Sequence, residues 1–296
     1  MTIVITITIT GCNEPATVGT PRIAVTASSY YCDIPDSIAF IADKDVYILD
    51  KSANTVTHCS GKSWSVSAYN DELLILQVSD DRIIQTDGGV WCDLNELDSD
   101  MFPLRSFAVG YDNGEKLLYA TNSFGTTAVY SLVDGEVVYE DSYDVPLFDG
   151  NQNCGWIIIT EQDDGNVIHE LSYDGNTYPL FNEMGGIACL NENNYLLHSD
   201  AGIFACDAGN ETFLLRLDDS SKIPLPDKCD LVALYSDCIV YKTNGDTGTI
   251  INIADFDGNV LNEFAVDDTA LIVPDTYTKR LYVIDVDKLI AQTIDI

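Results

Sequence analysis

The sequence has few basic residues. It contains 14 Lys and Arg against 48 Asp and Glu, which gives a formal net charge of −34 over 296 residues. Its arginines are scattered without a basic run, whereas phosphate backbones and anionic membrane surfaces are bound by clustered Lys and Arg. The charge therefore excludes a nucleic-acid partner. It favours basic proteins or divalent cations as partners, or it serves only solubility and mutual repulsion between copies.

The sequence also lacks a long apolar run, so no transmembrane helix and no membrane insertion are predicted. The segment from Ile9 to Cys12, ITGC, resembles a lipoprotein cleavage box. The residues before it contain no Lys or Arg and place Thr at every second position, unlike the apolar core of a signal peptide. We therefore expect synthesis in the cytoplasm without a signal peptide.

No CxxC pair is present among the nine cysteines, and their number is odd. In a chain of this length, dispersed cysteines inside apolar strands are typical of buried free thiols and of a reducing compartment. The three histidines, His58, His169 and His198, do not lie at metal-ligand spacing. The sequence therefore predicts no resident cofactor.

What the sequence does contain is a repeated pair of apolar strands separated by a turn of Asn, Asp or Gly. The recurrence at about 40 residues is typical of stacked four-stranded β-sheet blades. The second strand of each unit begins near Ser37, Glu72, Lys116, Gly155, Tyr195, Cys238 and Arg280. We therefore predict an all-β fold, a seven-bladed β-propeller of four-stranded antiparallel blades, formed by residues 1–296 as a single domain.

Asp-Gly pairs follow the third strand of four units. These pairs are Asp87-Gly88, Asp134-Gly135, Asp174-Gly175 and Asp257-Gly258. Because this dipeptide readily adopts positive φ angles, each pair predicts a two-residue primed turn between the third and fourth strands.

The last unit lacks residues for a fourth strand, whereas residues 2–10 alternate isoleucine or valine with threonine and have no unit of their own. The pattern predicts that residues 2–10 complete the last blade and close the ring. Residues 11–21 are then a lead-in segment, with the blades beginning at about residue 22.

The turn SYDGNTY, Ser172 to Tyr178, resembles the Asp-box of sialidase-type propellers, with Tyr178 in the place of the usual Trp or Phe. TDGGVW, Thr86 to Trp91, resembles it less closely. In those families the box is a structural turn, so the resemblance implies a divergent propeller without implying an activity or a specific family. The Trp-Asp pairs of WD repeats are absent, and a double glycine does not recur from unit to unit as it does in kelch repeats.

The turns between second and third strands are acidic in six of the seven units, and in a propeller these turns surround one mouth of the central channel. An acidic rim that attracts a divalent cation or a basic partner is one interpretation; Asp as an ordinary turn residue is the other. The candidate binding residues are Asp43, Asp45, Asp80, Asp81, Asp163, Asp164, Asp200, Asp246 and Asp287.

The sequence contains no catalytic constellation, and we therefore predict a non-enzymatic protein-interaction or structural module of a larger assembly, such as a phage-type virus particle. Its expected partners are other proteins, including copies of itself or virion proteins. The alternative is a carbohydrate-active or carbohydrate-binding propeller, a glycosidase or lectin-like protein, because glycoside hydrolysis needs two suitably spaced carboxyl groups and the rim offers many.

Overall fold

Short antiparallel strands make up most of the described chain. The computed structural model describes residues 22–23, 31–77, 82–97, 104–112, 114–122, 126–141, 143–149, 152–184, 194–208, 211–245 and 248–296. Within these ranges there is no α-helix, and the 3-10 helix Leu94–Glu96 is a single turn. The predicted all-β class is confirmed.

The first two units share one long strand. The strands of these units are β2 Tyr31–Ile34, β3 Ser37–Ala42, β4 Asp45–Asp50, β5 Thr55–Tyr69, β6 Glu72–Gln77, β7 Arg82–Gln85 and β8 Val90–Asp93. Strand β5 pairs with β4 through its first residues and with β6 through its last residues. It therefore ends one four-stranded unit and begins the next.

Two further units lie side by side in an eight-stranded sheet. Their strands are β9 Leu104–Asp112, β10 Glu115–Asn122, β11 Thr127–Ser131, β12 Val137–Asp141, β13 Val145–Asp149, β14 Gln152–Glu161, β15 Asn166–Tyr173 and β16 Asn176–Met184. A parallel bridge between Gln152 and Tyr111 joins the two units.

The remaining strands form a five-stranded sheet, a four-stranded sheet and a three-stranded group. They are β1 Arg22–Ile23, β17 Asn194–His198, β18 Ile203–Asp207, β19 Thr212–Arg216, β20 Lys222–Pro224, β21 Asp230–Leu234, β22 Ile239–Gly245, β23 Gly248–Ala254, β24 Val260–Val266, β25 Leu271–Asp275, β26 Arg280–Asp285 and β27 Ile290–Asp295. The three-stranded group, β25–β27, belongs with β2–β8 to one ten-stranded sheet. Strand β1 pairs with β17, and the first four-stranded unit begins later, at β2.

The described sheets therefore repeat a four-stranded antiparallel unit, as predicted. No backbone ladder within the described ranges joins the four sheets into a closed ring. The predicted closing strand, residues 2–10, and the lead-in, residues 11–21, lie outside those ranges. The count of seven blades and the closure of the ring stay predictions.

Neighbouring units pack face to face through apolar side chains. Leu74 and Ile83 of one unit, for example, share a core cluster with Phe107 and Leu118 of the next. A separate cluster packs Phe40 of β3 against Val273 and Tyr282 of β25 and β26, although these residues are far apart in the sequence. The first four-stranded unit thus contacts the last described group of strands.

The Asp-Gly turns differ from one another in length. Asp174 and Gly175 have φ angles of 48° and 71°, and they form the predicted two-residue primed turn between β15 and β16. In the other three hairpins only the glycine has a positive φ, and the loop is longer than two residues. The prediction was right about the position of these hairpins and wrong about three of the turn types, because a longer loop needs the left-handed conformation at one residue only.

Candidate interaction surface

The described rim residues lie in or beside the turns between second and third strands, as predicted. Asp43 is in the turn between β3 and β4, and Asp45 begins β4. Asp163 and Asp164 lie between β14 and β15, Asp200 lies between β17 and β18, and Asp287 lies between β26 and β27. Asp80, Asp81 and Asp246 lie outside the described residues.

The structure brings three of the predicted residues together around one tyrosine. Burial raises the pKa of Tyr47, and the carboxylates of Asp45, Asp43 and Asp287 raise it further. Tyr47 also packs in the same core cluster as Val286, the residue before Asp287. Two turns from opposite ends of the described chain therefore present negative charge to the same side chain.

Aromatic rings accompany this negative charge. Tyr47 stacks on Phe40, with ring centroids 5.4 Å apart, and meets the edge of the exposed His58 ring at 5.3 Å. His58 Nε2 lies 3.9 Å from Asp45 Oδ1. The three aromatic rings thus lie in a row from the buried Phe40 to the exposed His58, which lies beside the Asp45 carboxylate.

Trp64 lies on the other side of the turn between β3 and β4 that contains Asp43 and Lys44. The backbone N–H of Ser63 donates to the Lys44 carbonyl at 2.8 Å, and Lys44 Nζ lies 4.4 Å from the centre of the Trp64 ring. Trp64 remains 37% exposed. We call Asp43, Lys44, Asp45, Tyr47, His58, Trp64 and Asp287 the acidic-aromatic surface.

Sequence reasoning missed Trp64 because, in this stretch, the polar residues are buried and the aromatic residue is exposed. Ser63 and Ser65 are fully buried whereas the tryptophan between them is exposed. A register shift occurs at this point, and the Ser63 hydroxyl donates to the Leu76 carbonyl at 2.6 Å. A bulge of this kind reverses which side chains face the core, and hydropathy does not reveal it. The available signal was a lone Trp in a polar stretch.

The other described rim residues lie in separate turns, and one of them, Asp164, is bonded within its own turn. Asp164 accepts hydrogen bonds from the backbone N–H and side-chain amide of Asn166, at 3.1 and 2.7 Å. Asp163, Asp164 and Asp200 are exposed. In the part of the chain that the structure describes, no three His, Cys, Asp or Glu residues are grouped so that they could hold a metal ion.

A buried ionic cluster, also missed from the sequence, joins the first unit to the last group of strands. Lys51 Nζ lies 2.9 Å from Asp275 Oδ1 and 3.6 Å from Asp33 Oδ2. The Thr276 N–H and hydroxyl donate to Asp33 Oδ2 at 2.8 and 2.7 Å. The Tyr235 hydroxyl donates to the Asp275 and Arg280 carbonyls at 3.3 and 3.0 Å. This cluster fixes how three units meet.

Burial and hydrogen bonding act in opposite directions on its two carboxyl groups. Burial raises the pKa of Asp33, although Lys51 and Thr276 offset part of the effect. Burial also disfavours the charge of Asp275, but hydrogen bonds from Thr278, Lys51 and the Tyr277 N–H hold its pKa below the ordinary value. The cluster therefore keeps Asp275 ionised although burial by itself would favour its protonated form.

Five of the described cysteines are free thiols, as predicted. They are Cys32, Cys92, Cys206, Cys229 and Cys238. Burial raises the pKa of the Cys206 thiol well above its ordinary value, as expected of a packed thiol rather than a reactive one. Among the described residues, no helix is long and apolar enough to cross a membrane.

Comparison with known proteins gives no family assignment: no family model matches the sequence, and no curated protein matches it. Among solved structures, the chain is similar to BamB from Moraxella catarrhalis, with a TM-score of 0.49, 11% identity, and coverage of 93% of this chain and 96% of that one. It is similar to the computationally designed Ika8 protein, with a TM-score of 0.48, 11% identity, and coverage of 94% and 100%.

A third similar structure is PorZ, a surface component of the type-IX secretion system of Porphyromonas gingivalis. Its TM-score is 0.45 at 11% identity, and the match covers 90% of this chain and 36% of that one. The described sheets repeat a four-stranded antiparallel unit, and the chain is assigned to no particular propeller family.

Proposed function

We propose that this chain is a non-enzymatic protein-interaction module that works without a cofactor as one component of a larger assembly. The observation that carries the proposal is the acidic-aromatic surface, where the Tyr47 and His58 rings lie near carboxylates and the exposed Trp64 ring lies against Lys44 of the same turn. Tryptophan and tyrosine dominate the binding energy of protein interfaces because they bury a large area and lose little side-chain entropy. The partner is a protein segment rich in Lys and Arg.

Electrostatics supports a basic partner at two levels. The net charge of −34 attracts positively charged molecules over long range and raises their association rate at low salt. At short range, aromatic faces and carboxylates together suit a guanidinium group, which stacks on a ring while it donates to a carboxylate. Incorporation into a virus particle and residence in the cytoplasm stay predictions from the sequence, and carbohydrate binding stays the alternative.

Two matched sets of substitutions test the proposal. Asp43→Asn, Asp45→Asn and Asp287→Asn together neutralise the acidic-aromatic surface, whereas Asp163→Asn, Asp164→Asn and Asp200→Asn remove the same charge from other turns. Asn tolerates the positive φ of 51° at Asp43, so the first set introduces no backbone strain. The probe is a fluorescent peptide of six arginines, titrated at low and at physiological salt.

We expect the first set to weaken binding by about tenfold, which corresponds to roughly 1.4 kcal/mol, and the second set to change it by less than about threefold. Trp64→Ala should also weaken binding. Equal losses in the two sets would mean that the peptide senses only overall charge, and the proposed surface would then be wrong. Hydrolysis of a chromogenic glycoside, abolished by either set, would replace the proposal with the enzymatic alternative.

The proposed module is a closed seven-bladed ring in which residues 2–10 supply the last strand. Support comes from the β25–β27 group, whose three strands are one fewer than those of the complete units. Within the described residues, the outer edge of β27 has one backbone bridge, from Ile290 to Thr55 on β5. Ile290 is 47% exposed beside this edge. A strand edge with so few backbone partners among the described residues favours addition of a strand.

Deletion of residues 2–10 tests the closure, and a Thr6→Pro, Thr8→Pro double variant is the more local test because proline cannot donate to a ladder. We expect both variants to lower the free energy of unfolding by several kcal/mol in urea, since an open edge and part of the last core cluster become exposed. Thr6→Val, Thr8→Val is the control that keeps the strand. A deletion variant as stable as the parent would show that this segment does not close the ring.

A further inference from the structure

A buried histidine lies where the β13–β16 unit packs against the sheet that contains β17. His169, on β15, is completely buried, and its Nδ1 lies 3.2 Å from the Tyr195 hydroxyl on β17. Its ring stacks on Phe181 of β16 with a centroid separation of 4.1 Å and an interplanar angle of 23°. The imidazole is therefore held in place from both sides of the junction.

The second ring nitrogen of His169 faces a carboxyl group without reaching it. Nε2 lies 3.8 Å from Glu183 Oε2 on β16, and neither atom makes a hydrogen bond to any described residue. The Glu183 side chain is 19% exposed, so it retains a path to water. Since an unsatisfied buried polar atom is costly, two such atoms facing each other indicate an arrangement with a second, better-bonded state.

The titratable neighbours come from several strands. Tyr195 on β17 faces His169 directly, and Cys206 on β18 lies within electrostatic range of Glu183. Asp207, Glu211 and Lys222 act on the same thiol. Lys222 Nζ also donates to the Leu180 carbonyl on β16 and lies 4.8 Å from the centre of the Phe213 ring. Glu161 lies at the end of β14, opposite Val167 in the ladder, and is exposed.

We infer that His169 and Glu183 form a one-proton latch between the β13–β16 unit and the sheet containing β17. When the pair takes up one proton from water, the Glu183 carboxyl O–H donates to His169 Nε2, and the Nδ1 proton donates to the Tyr195 hydroxyl oxygen. Loss of that proton leaves a carboxylate facing the ring without a donor, and Glu183 turns toward water. The latch is then open.

The shifts in proton affinity agree with this geometry. Burial lowers the pKa of His169 to about 4 and raises the pKa of Glu183 above its ordinary value. Burial thus favours the neutral form of both groups, so that the carboxyl group rather than the imidazole holds the shared proton. Because the two groups interact, they titrate as a pair rather than separately.

The pH dependence of folding stability distinguishes the latch from a pair that is only structural. The pKa of Glu183 is higher in the folded state than its ordinary value of 4.5. The contribution of Glu183 to folding stability is therefore fully present below pH 4.5 and is lost as the pH rises through the folded-state pKa. Glu183→Gln places an amide donor beside Nε2 at every pH and therefore imitates the closed latch. Glu161→Gln is the matched control at an exposed carboxyl group.

The test combines a histidine NMR titration from pH 4 to 8 with urea unfolding at the same pH values. The parent protein has three histidine Cε1–H signals to follow, and His169→Phe identifies the one that belongs to the latch. We expect that signal to shift in a step above pH 4.5 that disappears in Glu183→Gln but not in Glu161→Gln. The urea midpoint of Glu183→Gln should rise relative to the parent as pH increases.

The latch is refuted if the His169 signal titrates near the ordinary histidine value of 6.5, or if it shows the same steps in the parent and in Glu183→Gln. A constant difference in urea midpoint between these proteins across the pH range would equally refute it. Should Glu183→Gln fail to fold, the parent titration decides: a His169 signal with no step between pH 4.5 and 8 overturns the inference. The latch is independent of the proposed binding surface.

Discussion

Two junctions between units bury ionisable groups, and they differ in how completely those groups are bonded. At the junction of β2–β5 with β25–β27, Lys51 lies between Asp33 and Asp275, and donors from Thr276, Tyr277 and Thr278 complete the cluster. At the junction of β13–β16 with the β17 sheet, His169 has one hydrogen bond among the described residues, and its second nitrogen faces a Glu183 oxygen that is likewise unbonded within that part of the chain.

The comparison shows that burial of charge does not determine behaviour by itself. Hydrogen bonds and Lys51 hold the pKa of Asp275 below its ordinary value and offset part of the rise at Asp33, whereas nothing offsets the effect of burial on Glu183. The Lys51 cluster is therefore built to hold one geometry, while the His169 pair is built to change with pH. Substitutions at each junction sharpen this contrast.

The largest effect is expected from Lys51→Met, which removes the cation and leaves Asp33 and Asp275 buried together without compensation. Breaking a buried ion pair from one side costs about 3–5 kcal/mol. The matched control is Lys279→Met, because Lys279 Nζ lies 2.7 Å from Asp237 in a pair whose side chains are 36% and 65% exposed. That exposed pair should contribute about 0–1 kcal/mol. Urea unfolding at neutral pH measures both, and similar losses would show that burial does not set the contribution of the Lys51 pair.

A smaller effect is expected from Thr276→Val, which removes one of the hydrogen bonds to Asp33 and keeps the shape of the side chain. The loss should be about 1–3 kcal/mol, since the carboxylate keeps its backbone donor and Lys51. Thr269→Val is the exposed counterpart, because the Thr269 hydroxyl donates to Asp267 at 2.7 Å on the surface. It should change stability by no more than about 0.5 kcal/mol.

The smallest effect at neutral pH is expected from His169→Phe, which should instead change the response to acid. His169 has an ordinary pKa of 6.5 and a folded value of about 4. Between these values the unfolded chain binds more protons, so folding stability falls as pH drops from 6.5 to 4. His169→Phe should make that fall shallower, as measured by urea midpoints. Equal slopes in the parent and in His169→Phe would exclude a role for His169.

The elements that sequence reasoning located are those encoded by short-range patterns. Strand alternation placed β3 at Ser37 and β6 at Glu72, and the free thiols agreed with their apolar surroundings. The same reasoning placed the described rim aspartates in their turns. It did not group Asp43 and Asp45 with Asp287, because their proximity depends on the contact between distant parts of the chain.

Other features followed no sequence rule. Trp64 faces outward between two buried serines because of a bulge, and Lys51, a residue type that is usually exposed, is buried in an ion cluster. Strand β1 pairs with β17 at a sequence distance that no periodicity encodes. These features arise from the way units meet, and the repeat pattern describes only the units.

The sequence by itself determined the strand repeat, the positions of the hairpins and the acidic character of the surface, since each depends on neighbouring residues or on composition. The tertiary structure decided which charges are buried and which rings and carboxylates share a surface. It also decided which junction is fully hydrogen-bonded, because those properties depend on donors and acceptors brought from units more than a hundred residues apart, as Asp33 and Thr276 are, with a separation of 243 positions.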